Sequence, residues 1–117
     1  MKALVCTKFG PPEVLQLQEV EKPTTKPNEV LIRIVATAVV KEDPDMRRSP
    51  GFNGFLKPRH PILGMELAGE VESVGKKVTR FKSGDTIFVS IFAVNYDGYA
   101  EYKCLPENGV LVLKPAR

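Results

Sequence analysis

A chain of 117 residues can bury one hydrophobic core but not two, and a content of 43% hydrophobic and 26% charged residues excludes the disordered and collagen-like classes. The net charge of +3 comes from Lys and Arg scattered along the whole chain, which leaves no basic segment for a nucleic acid. No apolar run reaches the roughly eighteen residues needed to span a bilayer, and the opening Met1 to Cys6 lacks the apolar core of a secretory signal, so a cytoplasmic protein without a membrane partner is expected.

Ten prolines and nine glycines interrupt the chain too often for helices of ordinary length, which predicts a mostly β fold. Lys2 to Thr7 reads as a first strand and Glu13 to Val20 as a second, with Phe9-Gly10-Pro11-Pro12 turning between them. After the polar connector Pro23 to Asn28, the run Glu29 to Val40 is apolar on both faces, as a central strand would be. Asp43-Pro44 followed by Arg47 and Arg48 predicts a short helix, with Asp43 as its cap and Pro44 at the first helical position. Ser49 to Pro61 is a long excursion carrying Phe52, Phe55 and Leu56. Strands are expected at Glu66 to Val74, Thr86 to Phe92, Gly98 to Lys103 and Val110 to Leu113, a pattern of short strands and close turns that points to a sandwich or barrel. Cys6 and Cys104 have no metal-ligand spacing and are read as small hydrophobes.

Five motifs stand in a fixed order: Met1-Lys2-Ala3-Leu4-Val5, Phe9-Gly10-Pro11-Pro12-Glu13, Asn28 to Ile34, Pro61 to Gly69, and Gly98-Tyr99-Ala100-Glu101-Tyr102, with Val74-Gly75 and Ser83-Gly84-Asp85 between the last two. In this order the chain resembles the N-terminal, GroES-like catalytic domain of the medium-chain dehydrogenase/reductase superfamily. The resemblance implies a GroES-like, partly open β-barrel with one or two short helices over residues 1–117. It further implies a separate Rossmann cofactor domain that this chain lacks, since no Gly-x-Gly-x-x-Gly follows a strand here.

Zinc-dependent members of that superfamily place a cysteine after the third strand and a histidine in a Gly-His-Glu triplet. The matching positions here are Val40 and Met65, one without a donor atom and the other a thioether that binds zinc poorly. Ser90 to Asp97 is short and contains no cysteine, so the lobe that holds structural zinc is missing too. The resemblance therefore narrows to the zinc-free branch of quinone, enone and aldehyde reductases. It implies NADPH, held mainly by the missing domain, no zinc, a small carbonyl or quinone substrate, and a full-length homodimer. The branch carries Asn-Pro-x-Asp after the third strand, and of Val40-Lys41-Glu42-Asp43 only Asp43 matches.

Candidate catalytic residues are then Lys41, the one nearby side chain able to donate with a full charge, and Asp43 at the edge of the cleft. Val40, Phe52, Phe55 and Met65 are candidates for the wall of the substrate pocket, the two phenylalanines on a glycine-bearing loop suited to a lid. No residue is assigned to cofactor binding or to a metal. Glu66 is expected to pair with Arg47 or Arg48. His60 is not read as catalytic, and Tyr99 and Tyr102 are read as packing. The competing reading is a stand-alone GroES-like interaction or co-chaperonin module, with the loop from Ser49 to Leu56 docking on a partner.

Overall fold

The computed structural model describes residues 1–40, 42–51, 53–90, 97–109 and 111–114. In chain order the elements are β1 (Lys2–Cys6), a 3-10 turn (Pro12–Val14), β2 (Leu15–Glu19), β3 (Glu29–Ala38), α1 (Glu42–Arg48), β4 (Glu66–Val74), β5 (Thr86–Ser90), β6 (Tyr102–Pro106) and β7 (Val112–Leu113). The protein is mostly β. β1 and β2 form an antiparallel ribbon, and the other strands form a five-stranded sheet in the order β6-β3-β4-β5-β7, every neighbouring pair antiparallel. Among the described residues this sheet does not close into a barrel. Its inner face packs Val30, Ile32, Leu67, Val71, Ile87, Val89 and Leu105 with Phe81 and Leu111 into the main core.

Several boundaries differ from the sequence reading for local reasons. Pro12, with its fixed φ and missing N–H, starts the 3-10 turn, which delays β2 to Leu15. β3 is central only in its first half. β6 pairs with Glu29 to Arg33, and from Ala36 onward β4 is its one strand neighbour, so Val30, Leu31 and Ile32 are buried while Val35 to Ala38 are exposed. Two register shifts, at Leu31/Ile32 and Ile34/Ala36, let the strand bend between these halves.

The strand expected at Gly98 to Lys103 begins four residues later, because residues 98–101 bond elsewhere. The Gly98 N–H donates to Gly64 O (3.1 Å) and the Tyr99 N–H to Leu63 O (2.9 Å), while the Leu4 N–H donates to Tyr99 O (2.9 Å). The Cys6 N–H in turn donates to Pro61 O (2.7 Å). Segment 61–64 is thereby held between β1 and residues 97–99. Phe92 and Val110, at the ends of two expected strands, lie outside the described residues. Among the described residues, no helix is long and apolar enough to cross a membrane. Cys6 is buried, Cys104 is half-buried, and both are free thiols.

Candidate functional site

Gly64 and Gly98 explain why two motifs far apart in sequence occur together. Gly64 sits at φ +107°, and a Cβ built on it would lie 2.8 Å from both Gly98 Cα and Tyr99 N. A Cβ on Gly98 would meet Gly64 O at 2.9 Å. Only two glycines allow the backbones to approach this closely, and the approach sets Tyr99 beside Leu63 and Met65.

Leu63, Met65 and Met46 from α1 form a second, smaller buried cluster, with Val40 and Tyr99 packed against it. Asp43 lies in this apolar setting and is only 3% exposed. Its Oδ2 accepts two hydrogen bonds, from the Tyr99 hydroxyl at 2.7 Å and from the Val40 N–H at 3.0 Å. Its own N–H donates to Val40 O at 3.1 Å, so residues 40 and 43 clasp each other reciprocally, as in a capping box. Asp43 is thus the second residue of α1 and reaches back from it, where the sequence had placed it just before the helix. Its Oδ1 is buried and has no hydrogen-bond partner among the described residues. Burial, followed by the hydrogen bond to Asp43 and the charge of that carboxylate, pushes the Tyr99 phenol far above its ordinary pKa. Tyr99 is therefore a neutral donor at any physiological pH.

Of the residues singled out from sequence, Val40, Asp43 and Met65 come together at this cluster. Phe55 does not join them: it is 75% exposed, and its neighbour Leu56 is 99% exposed. Lys41 and Phe52 lie outside the described residues. Glu66 pairs with neither arginine. Arg47 donates to Gly10 O, Arg48 pairs with Asp45 at 3.4 Å, and the Glu66 side chain is exposed. Two contacts escape the sequence reading. Tyr99 packs on the small cluster as expected, and it also donates its hydroxyl to Asp43, 56 residues away. Asn53, 1% exposed, ties the base of the long loop by exchanging hydrogen bonds with the His60 backbone at 3.0 and 2.9 Å.

The donor set does not suit a metal. Val40 has no ligand atom, the Met65 thioether is packed against Leu63 and Met46, and Asp43 already gives Oδ2 to two donors. Among the described residues, no three His, Cys, Asp or Glu side chains are grouped to hold an ion. Among the described residues there is also no glycine-rich strand-to-helix turn for a dinucleotide.

A family model described as the alcohol dehydrogenase GroES-like domain matches residues 26–115. The quinone oxidoreductase of Sus scrofa is 40% identical over 115 residues, which cover 97% of this chain and 33% of that protein. The chloroplastic NADPH-dependent alkenal/one oxidoreductase of Arabidopsis thaliana is 33% identical over 122 residues, covering 98% of this chain and 31% of that one. Among solved structures, the quinone oxidoreductase from Coxiella burnetii superposes with a TM-score of 0.84 at 28% identity, over 99% of this chain and 37% of its own. The chain spans about a third of the length of the curated relatives it matches.

Proposed function

The chain belongs to the alcohol dehydrogenase GroES-like domain family, and from that premise we propose that it is the catalytic domain of a zinc-independent, NAD(P)H-dependent oxidoreductase. The reaction is reduction of a quinone, enone or aldehyde by hydride transfer, with the nucleotide gripped mainly by a second domain. NADPH is the favoured cofactor. The compartment is cytoplasmic and the full-length protein a homodimer.

The observation that carries the zinc-independent reading is the apolar packing of Val40 and Met65 around the Asp43–Tyr99 hydrogen bond. Polarisation of the substrate oxygen then falls to hydrogen-bonding groups in a water-poor site. Asp43, in the first turn of α1, has its carboxylate fixed by Val40 and Tyr99, and Met65 with Leu63 supplies an apolar wall that excludes water. Lys41, adjacent to Val40, is the proposed charged donor, and Phe52 and Phe55 the proposed lid. The reading is supported by relatives named as quinone oxidoreductases and as an NADPH-dependent alkenal/one oxidoreductase.

The test is NADPH oxidation by the full-length protein with 1,4-benzoquinone, cyclohexenone and a 2-alkenal, before and after exhaustive dialysis against a zinc chelator. Turnover that survives dialysis is the expected result. Turnover that vanishes and returns with added zinc would sink the zinc-independent assignment, and no turnover with any of the three would sink the activity.

A further inference from the structure

The two oxygens of Asp43 are treated very differently. Oδ2 lies under two donors, the Tyr99 hydroxyl and the Val40 N–H. Oδ1 is equally buried and lies under none among the described residues. A buried carboxylate oxygen without a donor is costly, so a native site that keeps one has a use for it. Among the described residues the neighbours do not serve. Met46, Leu63 and Met65 carry no hydrogen-bond donor in their side chains, and Arg47 and Arg48 are committed to Gly10 and Asp45.

Building on the oxidoreductase reading above, we propose that Asp43 Oδ1 is the acceptor for the hydroxyl of a small neutral ligand, the alcohol or hydroquinone form of the substrate, and that Tyr99 is a positioning residue that assigns this role to Oδ1. The reasoning is one of donor and acceptor inventory. A carboxylate only accepts, so its unpartnered oxygen favours a ligand O–H over a carbonyl, and its charge disfavours anionic ligands. Because the Tyr99 phenol stays protonated, its donation to Oδ2 persists, and the unpartnered oxygen of the carboxylate stays the same atom. Asp43 thereby discriminates the reduced from the oxidised form of one compound by the presence of a proton.

The substitution Asp43→Asn gives an inverted expectation. The amide must keep its oxygen under the two donors, which puts its NH2 where Oδ1 was and turns an acceptor into a donor. Tyr99→Phe removes one of the two donors and frees the group to turn over.

The experiment is an NMR titration of the labelled 117-residue chain with cyclohexanol and, separately, cyclohexanone, which share a ring and differ in the hydroxyl proton. The wild type is expected to prefer the alcohol by about tenfold, with the Asp43 carboxyl carbon and the Val40 and Tyr99 amides shifting on binding. Asp43→Asn prefers the ketone, and Tyr99→Phe brings the two affinities within about twofold of each other. Equal affinities in the wild type, an unaltered preference in Asp43→Asn, or no binding of either compound overturns the proposal. A carboxyl carbon that responds to Lys41→Met but not to cyclohexanol assigns Oδ1 to an internal partner and overturns it as well. Should Tyr99→Phe fail to fold, the wild type and the isosteric Asp43→Asn decide. The oxidoreductase reading stands or falls separately, on NADPH oxidation by the full-length protein.

Discussion

Tyr99 contributes through one hydrogen bond to a buried carboxylate, and such bonds are worth about 1.5–3 kcal/mol when a charged group is involved. Tyr99→Phe is expected to cost about that much, read as a lowered urea midpoint at pH 7 with unchanged m-value. The pH dependence has a definite sign. The folded state raises the Tyr99 pKa, so the stabilisation is complete below the ordinary phenol value near 10 and is lost as pH rises from there through the folded value. The wild type should therefore lose stability faster than Tyr99→Phe between about pH 10 and 12. The thiols of Cys6 and Cys104, both raised mainly by burial above the ordinary thiol value of 9.0, add an alkaline slope that the variant retains. At this scale the sequence was half readable. The family resemblance points to Val40, Asp43 and Met65, and the structure brings these three together. The Tyr99 hydrogen bond could not be read, because a hydroxyl that donates across 56 residues leaves no periodic trace.

Elements were legible where their signal was local. The alternation of Glu66 to Val74 and the Asp43-Pro44 start both correspond to real elements, β4 and α1. What could not be read was burial along β3, since whether Val35 is covered depends on how far β6 extends beside it, which is a property of another strand. The clasp between the turns after β4 and after β6 was equally invisible. Glu107, 9% exposed, accepts the N–H groups of Thr79 and Arg80 through one oxygen, Oε1, at 3.0 and 2.9 Å. Glu107→Ala leaves both donors without that acceptor and should cost about 1–2 kcal/mol, while Glu107→Gln, which keeps a carbonyl oxygen there, should cost less. Thermal unfolding of the two variants checks this ordering, and equal melting temperatures would remove Glu107 from the account of how the two turns are joined.

For the whole molecule, the resemblance carried by the ordered motifs reached the GroES-like domain that the family match shows. The partly open character came with that resemblance, whereas the strand order β6-β3-β4-β5-β7 did not, because order depends on side-by-side pairing at strand edges and not on the apolar pattern within any strand. The sequence holds no Gly-x-Gly-x-x-Gly run, and the chain covers about a third of the length of its curated relatives. Isothermal titration with NADPH should accordingly detect no submicromolar binding to the 117-residue chain. Heat release fitting a submicromolar dissociation constant would show that these residues form a nucleotide grip by another route. Native mass spectrometry adds a second check, with a monomer or dimer expected and a closed ring favouring the co-chaperonin reading.

The paired approach of Gly64 to Gly98 also has a bearing on redesign. Whoever enlarges or reshapes the apolar wall at Leu63 and Met65 will drag the phenol of Tyr99 along with it, since the two stretches are stitched main chain to main chain. Under the proposed function, selectivity for substrate bulk and selectivity for oxidation state are then expected to evolve as one trait, and libraries that randomise the first should be screened for both.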